Sequence, residues 1–587
     1  MQSYLHKLRH STEHVFNQAL EELYPGKVKR AIGPVIDNGW YFDGRLDFEI
    51  SPECFEKIEK KMKEIIDRDL PFVKVIVSPS EARRLFKDNE FKLELIDDLE
   101  RNGEEISIYY TGDPNDQSTT FFDLCAGPHV ERTSEIKYFK VLSIAGAYWR
   151  GDSKREMLTR IYGTTFETEQ ELKQFLYQRE LAEKINHRKI GKELELFAIF
   201  PEIGQGLPVW LPNGYVIRRI LEDYMLKLEK KYDYLHILTP HINNEILFET
   251  SGHLHFYKDS MYSPIEIDNQ RYYLKPMNCP AAMMVYKMKI RSYKDLPYKL
   301  GELGTVYRYE QSGELQGLQR VRGFTQNDAH IFCTLEQVEQ QFLEVLEMLT
   351  KFYQDLGFTN YKYRLSLSDF EKNPDKYVGE KETWYRIENV IRNVLSKNNI
   401  QYYEAKGEAA FYGPKLDVQA VNVFGKEDTI STIQIDFNLP HRFGLEYVDK
   451  DGTRKVPVVI HRALVGSFER FFAFLIEFYE GSFPVWLSPI QVAVLPISTI
   501  KHLDFATEVT NRLKQKEIRV ELFKEEETLN YRIRMCENKK IPYIVIIGEQ
   551  EIQTKILSVR LRNRKTVKYK IEDLENEIFL YTNKQNI

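Results

Sequence analysis

Residues 165–194 read TFETEQELKQFLYQRELAEKINHRKIGKEL, a stretch too rich in charge to form the interior of a fold. A chain interrupted in this way must build separate cores on either side of the break. The stretch is therefore expected to be a solvated linker helix over 166–195. The 587 residues, at about 150 per domain, leave room for roughly four domains.

The flanking segments differ in pattern. Before the break, Leu5, Leu8, Val15, Ala19, Leu20 and Leu23 fall close to helical spacing, and Pro25-Gly26 ends that helix. Ser51 reads as an N-cap with Pro52 at the first helical position, opening a helix that carries Phe55, Ile58, Met62 and Ile65. After the break, helices at Val338–Leu356 and Glu380–Leu395 stand among strand-like pieces such as STIQIDFNLP and VPVVIHRAL. That scatter predicts an α+β domain with a largely antiparallel sheet. The last hundred residues alternate instead: QVAVLPIS, a helix from about Leu503 to Lys516, IRVELF, a helix around Tyr531, then IPYIVIIG. They predict a small α/β domain with a buried sheet, followed by a strand-like basic run, Arg560 to Lys570. That run is either a solvated face or a polyanion-binding one.

No apolar run approaches the ~18 residues of a membrane helix, and the polar start lacks the apolar core of a signal peptide. Five scattered cysteines make a disulfide framework unlikely and fit a reducing compartment, so a cytoplasmic protein is expected. A formal charge of −6 excludes a uniformly basic surface but not a local one.

Four constellations could carry chemistry. His10 and His14 lie four apart on one helix face. They match the H-x-x-E-H zinc-protease string, could serve as neutral acid/base groups, or could be surface histidines. Asp123 precedes Cys125-Ala-Gly-Pro-His129, which could be a metal pair, a nucleophile pair or the floor of a polar pocket. Cys279, His330 and His461 suit zinc with an open fourth position, yet their separations are too long for a local signature; satisfied buried residues are the simpler account. Arg308 and Arg320, on strands flanking the loop QSGELQGLQ, could with Arg470 clamp a triphosphate, and Phe324 could stack on a base. No P-loop or G-x-G-x-x-G is present.

The strings YRYE…RVRGFTQNDAHIF and HRALVGSFERFFAFL resemble motifs 2 and 3 of class II aminoacyl-tRNA synthetases, and the segment from Tyr215 to Pro240 resembles motif 1. KPMNCP, FTQNDAHIF and VVIHRALVGSFER resemble the threonyl-tRNA synthetase family, and RHSTEH with CAGPH resembles the editing domain of its bacterial-type members. The resemblance spans essentially the whole chain. It implies an editing domain over 1–165, the linker over 166–195, a class II catalytic domain over 196–485 and an anticodon-binding domain over 486–587. It implies a zinc ion on Cys279, His330 and His461, and ATP with Mg²⁺. Arg308 would hold the α-phosphate, Arg320 and Arg470 the outer phosphates, and Glu310 and Phe324 the adenine. Gln326, Asp328, Tyr412 and Gln434 would line the threonine pocket, with Lys415 and Ser467 close by and His253 acting in transfer to the tRNA ribose. His10, His14, Cys125 and His129, with Asp123 beside them, would form the editing pocket. Glu551 and Arg560 would read the anticodon. The implied partners are tRNA(Thr), L-threonine and ATP, with no membrane, in a homodimer built through motif 1.

Two departures from the family pattern stand out. Members usually begin with a small β-grasp domain, whereas this chain starts at the editing helix; charging and editing are expected to survive that loss. The family's usual Cys-Pro-Gly-His reads Cys279-Pro280-Ala281-Ala282. The missing histidine is not a zinc ligand, so metal binding is expected to hold. The competing readings are a synthetase-like RNA-binding regulator without catalysis and another class II synthetase, such as the prolyl enzyme.

Overall fold

The computed structural model describes residues 3–116, 121–152, 154–421 and 427–583. The chain forms two compact units, Met1–Glu180 and Leu181–Ile587.

In the first unit, the helix Tyr4–Leu23 begins at Ser3, whose hydroxyl accepts the His6 N–H. It lays Leu8, Val15, Phe16, Ala19 and Leu20 against Trp40, Phe42 and Ile161. Those residues belong to an antiparallel sheet ordered Val28–Ile32, Gly39–Leu46, Met157–Phe166, Tyr138–Tyr148. A second antiparallel sheet pairs Phe72–Ile76, Ser107–Thr111 and Phe121–Leu124. Ser51 does not cap the next helix. Pro52–Cys54 forms a single 3₁₀ turn, the Ser51 side chain makes no capping bond, and the α-helix runs from Phe55 to Asp67. The proline fixes φ one turn too early for the serine to reach the helical N–H groups.

The charged stretch is two helices. Glu169–Lys184 buries only Ala182. His187–Glu193 buries His187, Ile190 and Gly191 in the second unit, so this part is not a solvated linker. Its spacing of His187 and Ile190 places both on one face, a weak apolar signal masked by Arg188 and Lys189 between them.

The second unit is organised by an eight-stranded sheet. Its order is Leu235–His236, Tyr298–Tyr307, Gly323–Cys333, Val458–Ser467, Glu427–Asp436, Lys415–Val421, Tyr361–Leu367, Tyr402–Lys406. The first and last pairings are parallel and the rest antiparallel. Helices Val338–Asp355, Lys381–Lys397 and Phe468–Phe478 cover one face with a core that includes Phe342, Leu349, Ile391, Ile433, Ile460 and Phe472. Alternate residues of the same strands face the other way and are polar, which is where the site lies.

The C-terminal part has a five-stranded sheet ordered Val520–Leu522, Val492–Pro496, Tyr543–Ile547, Ile556–Leu561, Thr566–Lys570. The first three strands are parallel, and the last two add an antiparallel hairpin made of the basic run. Arg562 falls in the turn of that hairpin and donates to the Phe483, Ser482 and Lys540 carbonyls and to Ser488 Oγ. It is spent on the protein's own backbone and is not part of a polyanion-binding face. Burial lowers its guanidinium to about 10.

A buried ion pair joins the helix Pro212–Lys231 to the sheet. Arg462 donates to Glu229 Oε1 at 2.6 Å and to Asn327 Oδ1 at 3.1 Å, and its guanidinium lies 4.4 Å from the Tyr234 ring centre. Burial pushes the Glu229 carboxyl up, but Arg462 and the bonds from His236 and Asn327 outweigh it and hold the group below the usual range. Its stabilising contribution is complete above about pH 4.3 and is lost as pH falls through the depressed folded value. Glu229→Ala leaves Arg462 buried without its carboxylate and is expected to cost about 3–5 kcal/mol, read as a lowered urea midpoint.

Candidate functional site

The strand register lays the second unit's polar residues out in rows. His330 stands opposite His461, His461 opposite Gln434, and Gln434 opposite Lys415. One step along, Asp328 pairs with Ala463, Ala463 with Thr432, and Thr432 with Asp417. Cys279 comes from outside the sheet, at the first turn of the helix Cys279–Lys287. Asn278 just before it donates to Asp328 Oδ2 at 3.1 Å. Gly304 makes room for this, since a Cβ there would lie 2.4 Å from Asn278 Oδ1.

The ligating atoms of Cys279, His330 and His461 lie within 4.8 Å of one another, and all three residues are buried. His461 Nε2 is 3.0 Å from Asp436 Oδ2, which accepts its N–H and leaves Nδ1 with a free lone pair. His330 Nε2 is buried with no hydrogen-bond partner. Burial drives the His330 imidazole well below its ordinary value and so keeps it neutral; it pushes the Cys279 thiol well up. A soft sulfur, two buried imidazoles, an orphaned buried nitrogen and a carboxylate behind one imidazole fit a zinc ion. Ala281 and Ala282 continue the helix away from this cluster without supplying a ligand atom.

Cys279 and His461 of this cluster line a cavity of about 720 Å³ that is also lined by Arg308, Glu310, Arg320, Phe324, Gln326, Asp328, Tyr412, Lys415, Gln434, Ser467 and Arg470. Tyr412 donates to Gln434 Oε1 at 2.9 Å. The guanidinium of Arg308 lies 5.0 Å from the Phe324 ring centre. The strands stop at Tyr307 and resume at Gly323, so Arg308 and Arg320 lie in the connection and not on the strands. Arg320 pairs with Glu310 at 2.8 Å and Glu314 at 3.1 Å. Lys415 Nζ is held by buried Asp417 at 2.9 Å. Ser467 caps the helix Phe468–Phe478, its hydroxyl accepting the Arg470 N–H.

His253 is not in the cavity wall. It is fully buried, with Nδ1 2.8 Å from Ser251 Oγ and its ring 5.5 Å from that of Phe411. Phe411 and His255 line the cavity in its place. Burial lowers its imidazole to about 3. The positions missed by motif reasoning are Asp417 and Asp436. Each follows a predicted residue by two along a strand, Lys415 and Gln434, and so shares its face; strand alternation was the available signal.

In the first unit, the ligating atoms of His10, His14, Cys125 and His129 also lie within 4.8 Å of one another. Cys125 Sγ is 3.3 Å from His10 Nε2 and 3.3 Å from His129 Nε2. His10 Nδ1 donates to the Pro128 carbonyl at 3.3 Å, so its Nε2 carries the lone pair that faces the thiol. Desolvation lowers His10 to about 4, holds His14 and His129 well below their ordinary range, and raises the Cys125 thiol to about 12. Asp123 pairs with Lys92 at 2.8 Å, both buried. Glu13, on the same helix, is buried and pushed well above the carboxylate range by burial and by Asp123. In the C-terminal sheet, Glu551 accepts from Gly548 N at 3.0 Å and Lys568 at 3.1 Å, and Arg560 pairs with Glu537 at 2.8 Å.

Among the described residues, no helix is long and apolar enough to cross a membrane.

Three family profiles match in chain order. Residues 106–162 match the threonyl and alanyl tRNA synthetase second additional domain. Residues 262–479 match the tRNA synthetase class II core domain (G, H, P, S and T). Residues 491–579 match an anticodon binding domain. The chain is 48% identical over 555 residues to a threonine–tRNA ligase of Geobacillus sp. (strain WCH70), covering 94% of this chain and 85% of that one. It is 45% identical over 585 residues to the threonine–tRNA ligase of Oceanobacillus iheyensis, covering 99% and 88%. Among solved structures, the RNA binding domain of threonyl-tRNA synthetase from Cryptosporidium parvum Iowa II superposes with a TM-score of 0.64 at 34% identity, over 68% of this chain and 98% of that one. A prolyl-tRNA synthetase from Giardia lamblia shares the fold, with a TM-score of 0.56 at 17% identity over 70% and 80%. With near-complete coverage at this identity, and with all three profiles in order, the chain belongs to the threonine–tRNA ligase family of class II aminoacyl-tRNA synthetases.

Proposed function

We propose that this protein activates L-threonine with ATP, transfers it to the 3′ end of tRNA(Thr), and hydrolyses mischarged seryl-tRNA(Thr). The observation that carries the reading is the Cys279–His330–His461 cluster, with its unpartnered buried nitrogen on His330, two of whose members, Cys279 and His461, line the same cavity as Arg308, Arg320 and Arg470. A prolyl enzyme has no hydroxyl to recognise and no need of such a cluster.

Threonine and valine are nearly isosteric, and an apolar pocket separates such a pair by only ~10²-fold. A zinc ion on Cys279, His330 and His461 would supply a Lewis-acid position for the threonine amino and hydroxyl groups, which valine satisfies only in part. Tyr412, Gln434 and Asp328 line the same end and complete the polar pocket. In activation, a threonine carboxylate oxygen attacks the α-phosphorus and pyrophosphate leaves. Arg308 stabilises the charge developing there, Arg320 and Arg470 hold the outer phosphates with Mg²⁺, and Phe324 with Glu310 hold the adenine. Arg320 exchanges Glu310 and Glu314 for phosphate when ATP enters. A ribose hydroxyl of the tRNA then attacks the adenylate carbonyl and AMP leaves. His253, neutral and behind Phe411, supports this wall from inside. Glu551 and Arg560 give up their protein partners to anticodon bases.

Serine keeps both polar groups and lacks one methyl, which costs only ~1–3 kcal/mol of discrimination. Hydrolysis in the first unit removes the error: water adds to the ester carbonyl and the ribose hydroxyl leaves with the proton. The neutral imidazoles of His10, His14 and His129 accept the water's proton and order it. The Cys125 thiol stays protonated at neutral pH and orders groups by hydrogen bonding, not by covalent attack. The homodimer is read from apolar residues left in water in the motif 1 region, Leu238 at 82% exposure and Leu235 at 55%. The cytoplasm, where tRNA and ATP meet, is the expected location.

Pyrophosphate exchange into ATP tests the main reading. Exchange with threonine, weaker exchange with serine, none with valine, and loss on chelation restored by zinc are expected. No exchange with threonine in zinc-replete protein would overturn it in favour of an RNA-binding regulator. His14→Ala is expected to abolish seryl-tRNA hydrolysis while threonine exchange stays unchanged. In the unmodified protein that hydrolysis should fall as pH drops through about 4, where His10 gains its proton. Leu238→Asp is expected to shift the sedimentation coefficient from dimer to monomer; an unchanged dimer would exclude this segment from the interface.

A further inference from the structure

We propose that His187 and Glu477 are positioning residues that dock the nucleotide-binding loop, so that Arg320 and Arg470 are held ready for the phosphates of ATP. The inference rests on reading those arginines as phosphate ligands.

Glu477 lies near the end of the helix Phe468–Phe478, whose first turn carries Arg470. Its Oε1 accepts from the His187 backbone N–H at 3.1 Å and from His187 Nδ1 at 2.7 Å. Both side chains are almost fully buried, at 2% and 3% exposure. The Nδ1–H is thereby committed, and the neutral ring presents a lone pair at Nε2. That lone pair accepts the Leu318 backbone N–H at 3.2 Å. Leu318 is fully buried and stands two residues before Arg320. The next residue, Gln319, gives its carbonyl to Arg470 Nε at 2.9 Å. Backbone groups of two consecutive loop residues are thus gripped from one helix: Gln319 through Arg470 directly, Leu318 through Glu477 and His187.

The loop's own residues fit this grip. Gly317 has φ +51°, and a Cβ on it would lie 2.2 Å from His187 Nε2 and 2.8 Å from Arg188 Cγ. A glycine there lets the backbone reach the imidazole. The turn is closed by Gln319 N to Gln316 O at 2.8 Å and by Gln316 N to Arg320 O at 3.1 Å, so fixing Leu318 fixes the origin of the Arg320 side chain. A loop left free would have to be ordered by ATP itself, at a cost in affinity.

The test is pyrophosphate exchange at varied ATP and at varied threonine. Gly317→Ala leaves the His187–Glu477 pair in place and blocks docking; His187→Phe keeps the ring and removes the acceptor. Each is expected to raise the KM for ATP about tenfold, the effect of losing one well-made hydrogen bond, with the KM for threonine and the zinc content unchanged. The double variant is expected to be no worse than the worse single, because the Leu318–His187 bond that Gly317→Ala blocks is already absent in His187→Phe, which also removes the Nδ1 bond to Glu477. His187→Gln, whose amide oxygen can accept the Leu318 N–H, is expected to recover most of the loss. If His187→Phe does not fold, Gly317→Ala decides alone. An ATP KM within twofold of the unmodified value in Gly317→Ala, additive effects in the double variant, or a parallel rise for threonine would overturn the inference. Arg320→Ala separates the two layers: if it leaves the ATP KM unchanged, the phosphate reading has failed; if it raises the KM while Gly317→Ala does not, the docking has failed.

Discussion

The antiparallel register of the central strands is the constraint on which the second unit depends. His330, His461, Gln434 and Lys415 come from segments more than a hundred residues apart at the extremes, yet the ladder sets them side by side in one row. Because side chains alternate, a slip of one residue in any of these strands would turn its polar members into the core and its Ile433, Ile435 or Ile460 into the cavity. The apolar face and the site are two readings of the same register, so the core's packing energy also fixes the geometry of the cluster. This is why ligands with no local sequence spacing can still converge within 4.8 Å.

Burial does the electrostatic work at both clusters. Withdrawal from water keeps His330 neutral in one and His10, His14 and His129 neutral in the other, and it raises the thiol of each, Cys279 and Cys125. The surroundings then differ. Behind His461 stands the carboxylate of Asp436, which fixes the tautomer and strengthens the ring as a ligand. Behind His10 stands a backbone carbonyl, and the nearby acid Asp123 is already matched by Lys92. The same residue types therefore stand in different surroundings in the two units.

Much of this was legible in the sequence, for reasons that differ by element. The helices Val338–Asp355 and Lys381–Lys397 carry uninterrupted apolar periodicity and emerged within a residue or two of the expected bounds. Of the residues the chemistry-bearing strings singled out, Arg308, Arg320, Gln326, Tyr412, Gln434 and Arg470 line one cavity, whereas His253 does not and its neighbour His255 reaches the cavity in its place. A four-residue helix leaves both histidines in one turn, and only the tertiary position of Phe411 decides which is shielded. Ser51 failed as a cap because a proline can open a 3₁₀ turn as readily as an α-helix. Arg562 failed as a surface charge because the turn it occupies brings it against the carbonyls of 482 and 483, and nothing in a run of basic residues distinguishes that member from its neighbours.

His187 illustrates the limit most clearly. It sits in a charge-rich part of the chain, where composition argues for solvent, and its partners are 290 and 131 residues away. Propensity and periodicity describe what a segment does to its own neighbours; they carry no information about a carboxylate that arrives from a distant helix. What made the charged stretch readable as a boundary, its lysines and glutamates, also hid the one imidazole in it that is buried. A boundary segment is under two demands at once, to stay solvated as a connector and to anchor the domain it enters, and the residue that meets the second demand is masked by those that meet the first. In this chain the anchor also reaches the loop that carries Arg320, so the entry point of the second unit and that loop share one hydrogen-bonded support.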